Sequence, residues 1–191
     1  MPKNRVFVLF GMTGAGKSFI AHHLMERFGL RRIKNTTTRP QRGESDNEYN
    51  FTSEDKFLQD EGRYVAVRAY DTYIEDTPKR HYYGVDKLEL EKGGILITDF
   101  VGFKELLERD NDLVGIYIYA DKTTRMIRSA LREGFKVEEF ERRNKDDYEK
   151  FKIEEIVDVG RGHNVYLVEN NLESDVDKLC ERIKGIIQNH Q

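Results

Sequence analysis

The chain has 191 residues, of which 38% are hydrophobic and 35% are charged, and its formal net charge is −3. This balance is typical of a soluble globular protein and gives no support for a general nucleic-acid or membrane-surface binder. No apolar run approaches the ~18 residues of a membrane span. The lone cysteine, Cys180, excludes a disulfide within the chain, which suits a reducing cytosol. From the length and these features we expect a single cytoplasmic domain.

The hydrophobic pattern alternates between short strands and amphipathic helices, except in one central region. The apolar run "RVFVLF" at 5–10 predicts a strand buried on both faces, and "SFIAHHLMERF" at 18–28 predicts a helix. Residues 34–90 show little helical period, which indicates a β-rich insert with one short helix capped by Ser53. Beyond the insert, the predicted strands are 93–100, 113–120 and 164–170, and the predicted helices are 101–110, 122–134, 136–156 and 173–187. The helix at 136–156 is expected to be poorly buried, because its apolar residues are sparse.

A glycine-rich loop lies between the first strand and the first helix. Gly11, Gly16, Lys17 and Ser18 match the pattern G-x-x-x-x-G-K-[ST] without a departure. Glycines let successive backbone N–H groups point at phosphate oxygens, and the following helix adds the positive end of its dipole. Lys17 then reaches the β- and γ-phosphates of ATP, while the Ser18 hydroxyl ligates Mg²⁺.

The predicted ATP-binding residues are Gly11, Thr13, Gly14, Ala15, Gly16, Lys17 and Ser18. The loop and the alternating pattern predict an α/β, three-layer P-loop NTPase fold with a parallel sheet covered by helices.

The glycine loop alone does not distinguish a kinase from a GTPase or an ATPase. Two further patterns fit a GTPase, because "DFVG" at 99–102 has the D-x-x-G form and "NKDD" at 144–147 has the N-K-x-D form. The second pattern must end a buried strand in order to contact guanine. Here it lies inside the highly charged stretch "EEFERRNKDDYEKF", and this context argues against a GTPase.

A second motif lies at the start of the insert. The stretch "NTTTRPQRGESDNEYNF" at 35–51 resembles the monophosphate-binding segment of guanylate kinases, whose pattern is S-x-T-T-R-x-P-R-x-G-E … D-Y-x-F. The shared residues are Thr37, Thr38, Arg39, Arg42, Gly43, Glu44, Tyr49 and Phe51. Farther along, "HYYG" at 81–84, "ILITDFVG", "RSALR" at 128–132 and "VYLVENNL" resemble further segments of that family. The resemblance extends in order over nearly the whole chain.

The resemblance implies a nucleoside monophosphate (NMP) kinase of one domain, with a core at 1–33 and 91–191, an NMP-binding insert at 34–90 and a short helical lid at about 132–158. The implied NMP-binding residues are Asn35, Arg39, Arg42, Tyr49, Tyr83 and Asp99. The implied catalytic residues are Lys17, Arg39, Arg128, Arg132 and Arg143, whose charges would neutralise the moving phosphoryl group. Asp99 either faces the acceptor base or, together with Ser18, belongs to the Mg²⁺ site. The same arginines are also compatible with solvated loop and helix surfaces.

The departures from the guanylate kinase pattern concern the acceptor base. Asn35 replaces the first serine, Ala66 stands where a glutamate reads guanine, and Val85 replaces the residue after Y-Y-G. Several extra residues lie between Ala66 and Tyr82, and among them Glu75 or Asp76 offers a replacement carboxylate. The phosphate-binding residues are therefore kept, while Asp99 is the one base-reading position that survives.

The sequence predicts transfer of the ATP γ-phosphate, with Mg²⁺, to an NMP, of which GMP or dGMP is the leading acceptor. ATP and the NMP are the expected partners, and membranes and nucleic acids are not. Two alternatives stay open: a guanylate-kinase-like interaction module without catalysis, and a P-loop kinase of another small molecule or of a nucleic-acid end. The intact Gly16, Lys17 and Ser18 argue against the interaction module.

Overall fold

The computed structural model describes residues 4–41, 47–74, 77–110, 112–131 and 135–190. The strands are β1 (Val6–Phe10), β2 (Arg32–Ile33), β3 (Asn35–Thr37), β4 (Tyr49–Phe51), β5 (Tyr64–Ile74), β6 (Thr77–Asp86), β7 (Gly94–Ile97), β8 (Val114–Tyr119) and β9 (Asn164–Glu169). The helices are α1 (Lys17–Phe28), α2 (Glu54–Gln59), α3 (Lys87–Glu91), α4 (Phe100–Arg109), α5 (Lys122–Ala130), α6 (Val137–Lys150), α7 (Ile153–Gly162) and α8 (Val176–Gln188).

The larger sheet has five parallel strands in the order β2-β7-β1-β8-β9. Every residue of β1 is buried, as its continuously apolar sequence predicts. Side chains alternate between the two faces of a strand. Val6, Val8 and Phe10 therefore join one hydrophobic cluster, while Phe7 and Leu9 join another.

Helices cover both faces of this sheet. On one face α4 and α7 contribute Phe100, Phe103 and Ile156 to the cluster around Phe10. On the other face α1 and α8 pack together, and Cys180 of α8 is completely buried there. Two layers of helix around one parallel sheet confirm the predicted α/β P-loop NTPase fold.

A second, mixed sheet has the strand order β4-β3-β6-β5. The β3–β4 pair is parallel, and β6 runs antiparallel to both β3 and β5. Ser53 caps α2 by accepting a hydrogen bond from the Lys56 backbone N–H, as the sequence predicts. The extra residues after Ala66 lengthen the β5–β6 hairpin, and Glu75 and Asp76, the predicted replacement carboxylates, lie outside the described residues.

The predicted single helix at 136–156 is two helices, α6 and α7, which are separated at Phe151 and Lys152. Phe151 is buried and stacks on Tyr117 of β8, with the ring centroids 6.1 Å apart. The expectation of poor burial is wrong for this part of the segment, because one aromatic side chain attaches the chain to the core at the break. Most other residues of α6 are exposed or half-buried.

No helix in the described part of the chain is long and apolar enough to cross a membrane.

Candidate active site

The glycine loop connects the end of β1 to the start of α1 and packs closely against neighbouring backbone. Gly11 has φ 153° and Gly16 has φ 92°, both in the region that favours glycine. A Cβ atom at Gly11 would collide with the Ile118 carbonyl oxygen, and one at Gly16 would lie 2.5 Å from Asn170 Nδ2. The two glycines are therefore required by the tight path of the loop.

The loop ends in a half-buried helix N-terminus that no side chain caps. Gly16 occupies the N-cap position of α1, and no acidic residue lies in the first turn. Lys17 Nζ donates hydrogen bonds to the carbonyl oxygens of Gly11 and Met12, at 2.7 and 2.9 Å. A polyanion such as the phosphates of ATP suits this end of α1, because backbone N–H groups, the helix dipole and a lysine lie together there.

A carboxylate that the sequence analysis missed lies beside Ser18. The Ser18 hydroxyl donates a hydrogen bond to Glu48 Oε2 at 3.1 Å, and the Arg32 guanidinium lies 3.8 Å from the same oxygen. Hydroxyl and carboxylate oxygens are ligands that Mg²⁺ prefers, and Mg²⁺ commonly uses only one or two protein ligands beside phosphates and water. The described residues contain no cluster of three or more His, Cys, Asp or Glu side chains suited to a metal, so Ser18 and Glu48 fit Mg²⁺ only together with phosphate oxygens.

One cavity of about 710 Å³ joins the glycine loop to the second sheet. Of the predicted site residues, its lining includes Gly11, Thr13, Gly14, Gly16, Lys17, Ser18, Asn35, Arg39, Tyr49, Tyr83, Asp99 and Arg143. Ala15 does not line it and is buried, with its carbonyl oxygen accepting a hydrogen bond from Asn170 Nδ2 at 2.8 Å. Arg42 and Arg132, also predicted as site residues, lie outside the described residues.

Arg39 is held against aromatic rings on the second sheet. Its guanidinium carbon lies 5.0 Å from the ring centroid of Tyr49 and 5.3 Å from that of Phe51. Tyr83 meets Tyr49 edge to face, with centroids 5.8 Å apart. Burial, and then the nearby Glu48 carboxylate, raises the pKa of Tyr49, so its hydroxyl stays protonated as a hydrogen-bond donor.

Asp99 lies where β7 gives way to α4. The predicted strand at 93–100 is shorter than expected and ends at Ile97, because Asp99 Oδ1 caps α4 through the Gly102 backbone N–H at 2.7 Å. Its other oxygen, Oδ2, accepts a hydrogen bond from the Tyr70 hydroxyl at 2.6 Å. Burial and the Asp99 charge together raise the pKa of Tyr70. Asn35, the other predicted base contact, donates from Nδ2 to the Ile97 carbonyl oxygen at 2.8 Å.

Of the predicted lid arginines that lie in the described residues, Arg143 lines the cavity and Arg128 does not. Arg143 of α6 lines the cavity and donates to Glu139 Oε1 at 2.6 Å. Arg128 of α5 does not line it, and its Nη1 donates instead to the Asn170 carbonyl oxygen at 2.7 Å, close to Gly16. In this conformation Arg128 therefore supports the glycine loop, and its catalytic role stays a prediction.

Two further contacts connect α6 to the glycine loop, and the sequence analysis predicted neither. Arg125 of α5 is almost completely buried and bridges α6 and the loop, because its Nη2 donates to Asn144 Oδ1 at 2.7 Å and its Nη1 donates to the Thr13 carbonyl oxygen at 3.4 Å. The Thr13 backbone N–H donates to Asp147 Oδ2 at 2.5 Å. A carboxylate thus lies on an N–H group of the predicted phosphate-binding loop. No periodicity or motif marks these residues, since each contact joins segments distant in the sequence.

The fold and the cavity together define a P-loop protein of the kinase-like type. A family model described as "AAA domain" matches residues 8–161, from β1 to α7. The chain belongs to this family. No curated protein matches the sequence.

Solved structures support the fold. A guanylate kinase from Anaplasma phagocytophilum is 19% identical, with a TM-score of 0.58 over 100% of this chain and 88% of that one. A sugar kinase from a Janibacter species is 14% identical, with a TM-score of 0.53 over 97% and 95% of the two chains. An uncharacterized protein from Eubacterium ventriosum is 15% identical, with a TM-score of 0.52 over 98% and 99%.

Proposed function

We propose that the protein transfers the γ-phosphate of ATP to a nucleoside monophosphate. The observation that carries this proposal is the single cavity lined both by Lys17 and Ser18 and by Arg39, Tyr49 and Tyr83. A lysine on a glycine loop suits the donor phosphates, and an arginine held over the Tyr49 and Phe51 rings suits a second phosphate. Two phosphate sites in one cavity are what transfer between two nucleotides requires.

In the proposed reaction, an oxygen of the acceptor phosphate attacks the γ-phosphorus, and the bond to the β–γ bridging oxygen breaks to release ADP. The acceptor oxygen is already ionised, so no general base is needed. Lys17 and the loop N–H groups hold the donor, while Arg39, Tyr49 and Tyr83 hold the acceptor phosphate. Arg143 supplies positive charge at the same cavity.

Bound Mg²⁺ would neutralise charge on the β- and γ-phosphates. We place it at Ser18, with Glu48 beside it as the nearest carboxylate seen on that hydroxyl. The Mg²⁺ role of Asp99 stays a prediction from sequence, because its two oxygens already accept hydrogen bonds from Gly102 and Tyr70. The domain boundaries and the cytoplasmic location belong to the same proposal.

The test is to incubate the protein with Mg-ATP and each ribo- and deoxyribonucleoside monophosphate, and to measure both ADP and the nucleoside diphosphate. The resemblance to guanylate kinases makes GMP and dGMP the reference acceptors. Turnover of at least one monophosphate is expected. ADP release without a nucleoside diphosphate, or no ADP with any acceptor, would contradict the proposal.

Lys17→Ala tests the catalytic role of the loop lysine, with Lys178→Ala as its control. We expect Lys17→Ala to lower kcat by about 10²-fold or more, because a positive charge at the transferring group is lost. Lys178→Ala removes a lysine whose side chain is 86% exposed on α8, and it should leave kcat unchanged. Equal activities of these two variants would exclude Lys17 from catalysis.

A further inference from the structure

The Glu48 side chain lies at the border between the second sheet and the glycine loop. Glu48 directly precedes β4, whose residues Tyr49 and Phe51 carry Arg39 at the proposed acceptor-phosphate site. Its carboxylate nevertheless contacts the donor side, where the Ser18 hydroxyl donates to Oε2 at 3.1 Å. Two consecutive residues of the chain, Glu48 and Tyr49, therefore line the donor and the acceptor side of one cavity.

The distance between the Ser18 and Glu48 oxygens suits two neighbouring ligands of one Mg²⁺ ion. Oxygen ligands lie about 2.0–2.1 Å from octahedral Mg²⁺, so two ligands at right angles are about 2.9 Å apart. The two oxygens in this structure are 3.1 Å apart. Both can therefore ligate the same ion without a large rearrangement of the chain.

The other contact of the Glu48 carboxylate does not prevent it from binding a metal. Arg32 Nη2 lies 3.8 Å from Oε2, which is an ion pair but is too long for a hydrogen bond. The Arg32 side chain is 12% exposed, and its Nε is buried with no hydrogen-bond partner in the described part of the chain. Arg32 therefore offsets the charge of Glu48 without a hydrogen bond that a metal would have to break.

Asp99, the carboxylate that the sequence predicted as a metal ligand, has different contacts. Its Oδ1 caps α4, and its Oδ2 accepts from the Tyr70 hydroxyl at 2.6 Å. Arg68 lies between Asp99 and Glu105, with Nε 3.5 Å from Asp99 Oδ1 and Nη1 2.7 Å from Glu105 Oε2. Asp99 is therefore engaged by α4 and the second sheet.

We propose that Glu48 is a Mg²⁺ ligand and that it couples the donor site to the acceptor site. Glu48 bound to the same ion as Ser18 would fix β4, and with it Tyr49 and Arg39, relative to the glycine loop. The bound metal nucleotide then supplies part of the free energy that orders the acceptor site, so the acceptor binds more tightly when the metal is present. Glu48 is thus also a positioning residue for the acceptor. The inference rests on the proposed kinase function.

The first measurement is the affinity of the ADP complex for a metal. Mn²⁺, which shares the preference of Mg²⁺ for oxygen ligands, is titrated into the protein with ADP, and unbound Mn²⁺ is followed by electron paramagnetic resonance. Glu48→Gln should raise the Kd of Mn²⁺ by about tenfold, because a charged ligand becomes a neutral one. An unchanged Kd in this variant would overturn the assignment of Glu48 as a ligand.

The second measurement is the coupling between the two sites. Calorimetry gives the Kd of AMP, CMP, GMP and UMP for the protein with ADP, once with Mg²⁺ and once with EDTA. For the monophosphate that binds most tightly, Mg²⁺ should lower the Kd of the wild type by about fivefold or more. Glu48→Gln should lose most of this gain. With EDTA the variant should bind the monophosphate as tightly as the wild type or more tightly, because a negative charge has been removed.

Glu54→Gln is the control, because Glu54 is exposed on α2 of the same insert and does not line the cavity. It should match the wild type in both measurements. Equal gains from Mg²⁺ in the wild type and in Glu48→Gln would show that the metal acts only by neutralising ADP, and would overturn the coupling. Weaker binding by Glu48→Gln with EDTA would indicate a merely structural role and would also overturn it, as would the absence of binding by all four monophosphates.

The outcomes separate this inference from the proposed function. If both measurements agree with the expectation but no monophosphate is phosphorylated, the role of Glu48 stands and phosphoryl transfer is excluded. If a monophosphate is phosphorylated but Glu48→Gln leaves the Kd of Mn²⁺ unchanged, phosphoryl transfer stands and the role of Glu48 is excluded.

Discussion

Glu139 of α6 is held by two arginines of its own helix. Arg142 donates to both of its oxygens, at 2.8 and 2.9 Å, and Arg143 donates to Oε1 at 2.6 Å. The hydrogen bonds from Arg142, followed by those from Arg143, lower the pKa of Glu139 to about 2. Because the folded pKa is below the unfolded value, the ionised form stabilises the fold at neutral pH, and this stabilisation is lost as the pH falls through about 2.

Glu139→Gln should therefore lower the free energy of unfolding at pH 7 by about 0.5 kcal/mol, a small effect because the side chain is 38% exposed. Thermal unfolding from pH 7 down to pH 2 measures it, and the difference from the wild type should disappear at the acid end. Glu138→Gln, at an exposed neighbour on the same helix, is the control. A difference that persists at pH 2 would show that the mutation acts through packing.

Among individual residues, the sequence predicted those of the glycine loop and of the arginine-bearing segment at 35–51, because their chemistry follows from the residue types and their spacing. Glu48 and Arg68 were missed, since their importance depends on pairings between distant segments. Ser18 contacts Glu48 across 30 positions, and Arg68 contacts Glu105 across 37. A sequence shows a charged side chain, but only the folded sheet shows which opposite charge it meets.

Both α5 and α6 contact the glycine loop, and α6 does so through a carboxylate. Asp147 accepts the Thr13 N–H, and Arg125 bonds both to Asn144 of α6 and, at 3.4 Å, to the Thr13 carbonyl oxygen. The Asp147 carboxylate therefore accepts from the Thr13 N–H group, which is a donor that a phosphate oxygen bound in the glycine loop would also use. On the proposed function, ATP would therefore displace Asp147 or bind beside its charge.

Asp147→Asn should strengthen ATP binding. Removing one negative charge near the phosphates is worth about 1 kcal/mol in a solvated site, which corresponds to about a fivefold decrease in Kd. Calorimetric titration with a non-hydrolysable ATP analogue and Mg²⁺ measures the change. Asp158→Asn on α7, whose side chain is 68% exposed, should leave Kd unaltered. Weaker binding by a folded Asp147→Asn protein would mean that the carboxylate helps to hold the ligand.

The break between α6 and α7 shows why the sequence did not predict the helix boundaries in this segment. Charge density predicted one helix at 136–156, and the apolar period was too sparse to indicate a break. The break depends on Phe151, which packs near Phe100 as well as Tyr117, with centroids 6.3 and 6.1 Å apart. A single buried aromatic residue has no periodicity, so only the tertiary contact reveals it.

For the whole molecule, the strand order is β2-β7-β1-β8-β9. The central strand β1 therefore has β7 and β2 on one side and β8 and β9 on the other, so the strand order reverses at β1. Ligands of such sheets bind beyond the carboxyl ends of the strands at this reversal point, where the loop after β1 lies. Alternating strands and helices with a glycine loop were sufficient to predict a parallel sheet with that loop after its first strand, but not the order of the strands. The face of the second sheet that lines the cavity was not predictable, because its register depends on a β-bulge in β5, where Val65 pairs with Val85 but the next pair is Arg68 with Tyr83.

The two phosphate sites proposed for one cavity predict that a bridged ligand binds better than its parts. Adenosine joined through five phosphates to the nucleoside of the best acceptor would contact the glycine loop and Arg39 at once, so the second contact becomes intramolecular. At about 100 times its Kd it should stabilise the protein by about 2.7 kcal/mol, a rise of about 5–10 °C in Tm. ADP with the separate monophosphate, each at the same concentration, should give a smaller rise. Lys17→Ala and Arg39→Ala should each abolish the advantage, whereas Lys178→Ala should keep it. A bridged ligand that raises Tm no more than ADP alone would show that the two ends of the cavity do not bind phosphate together.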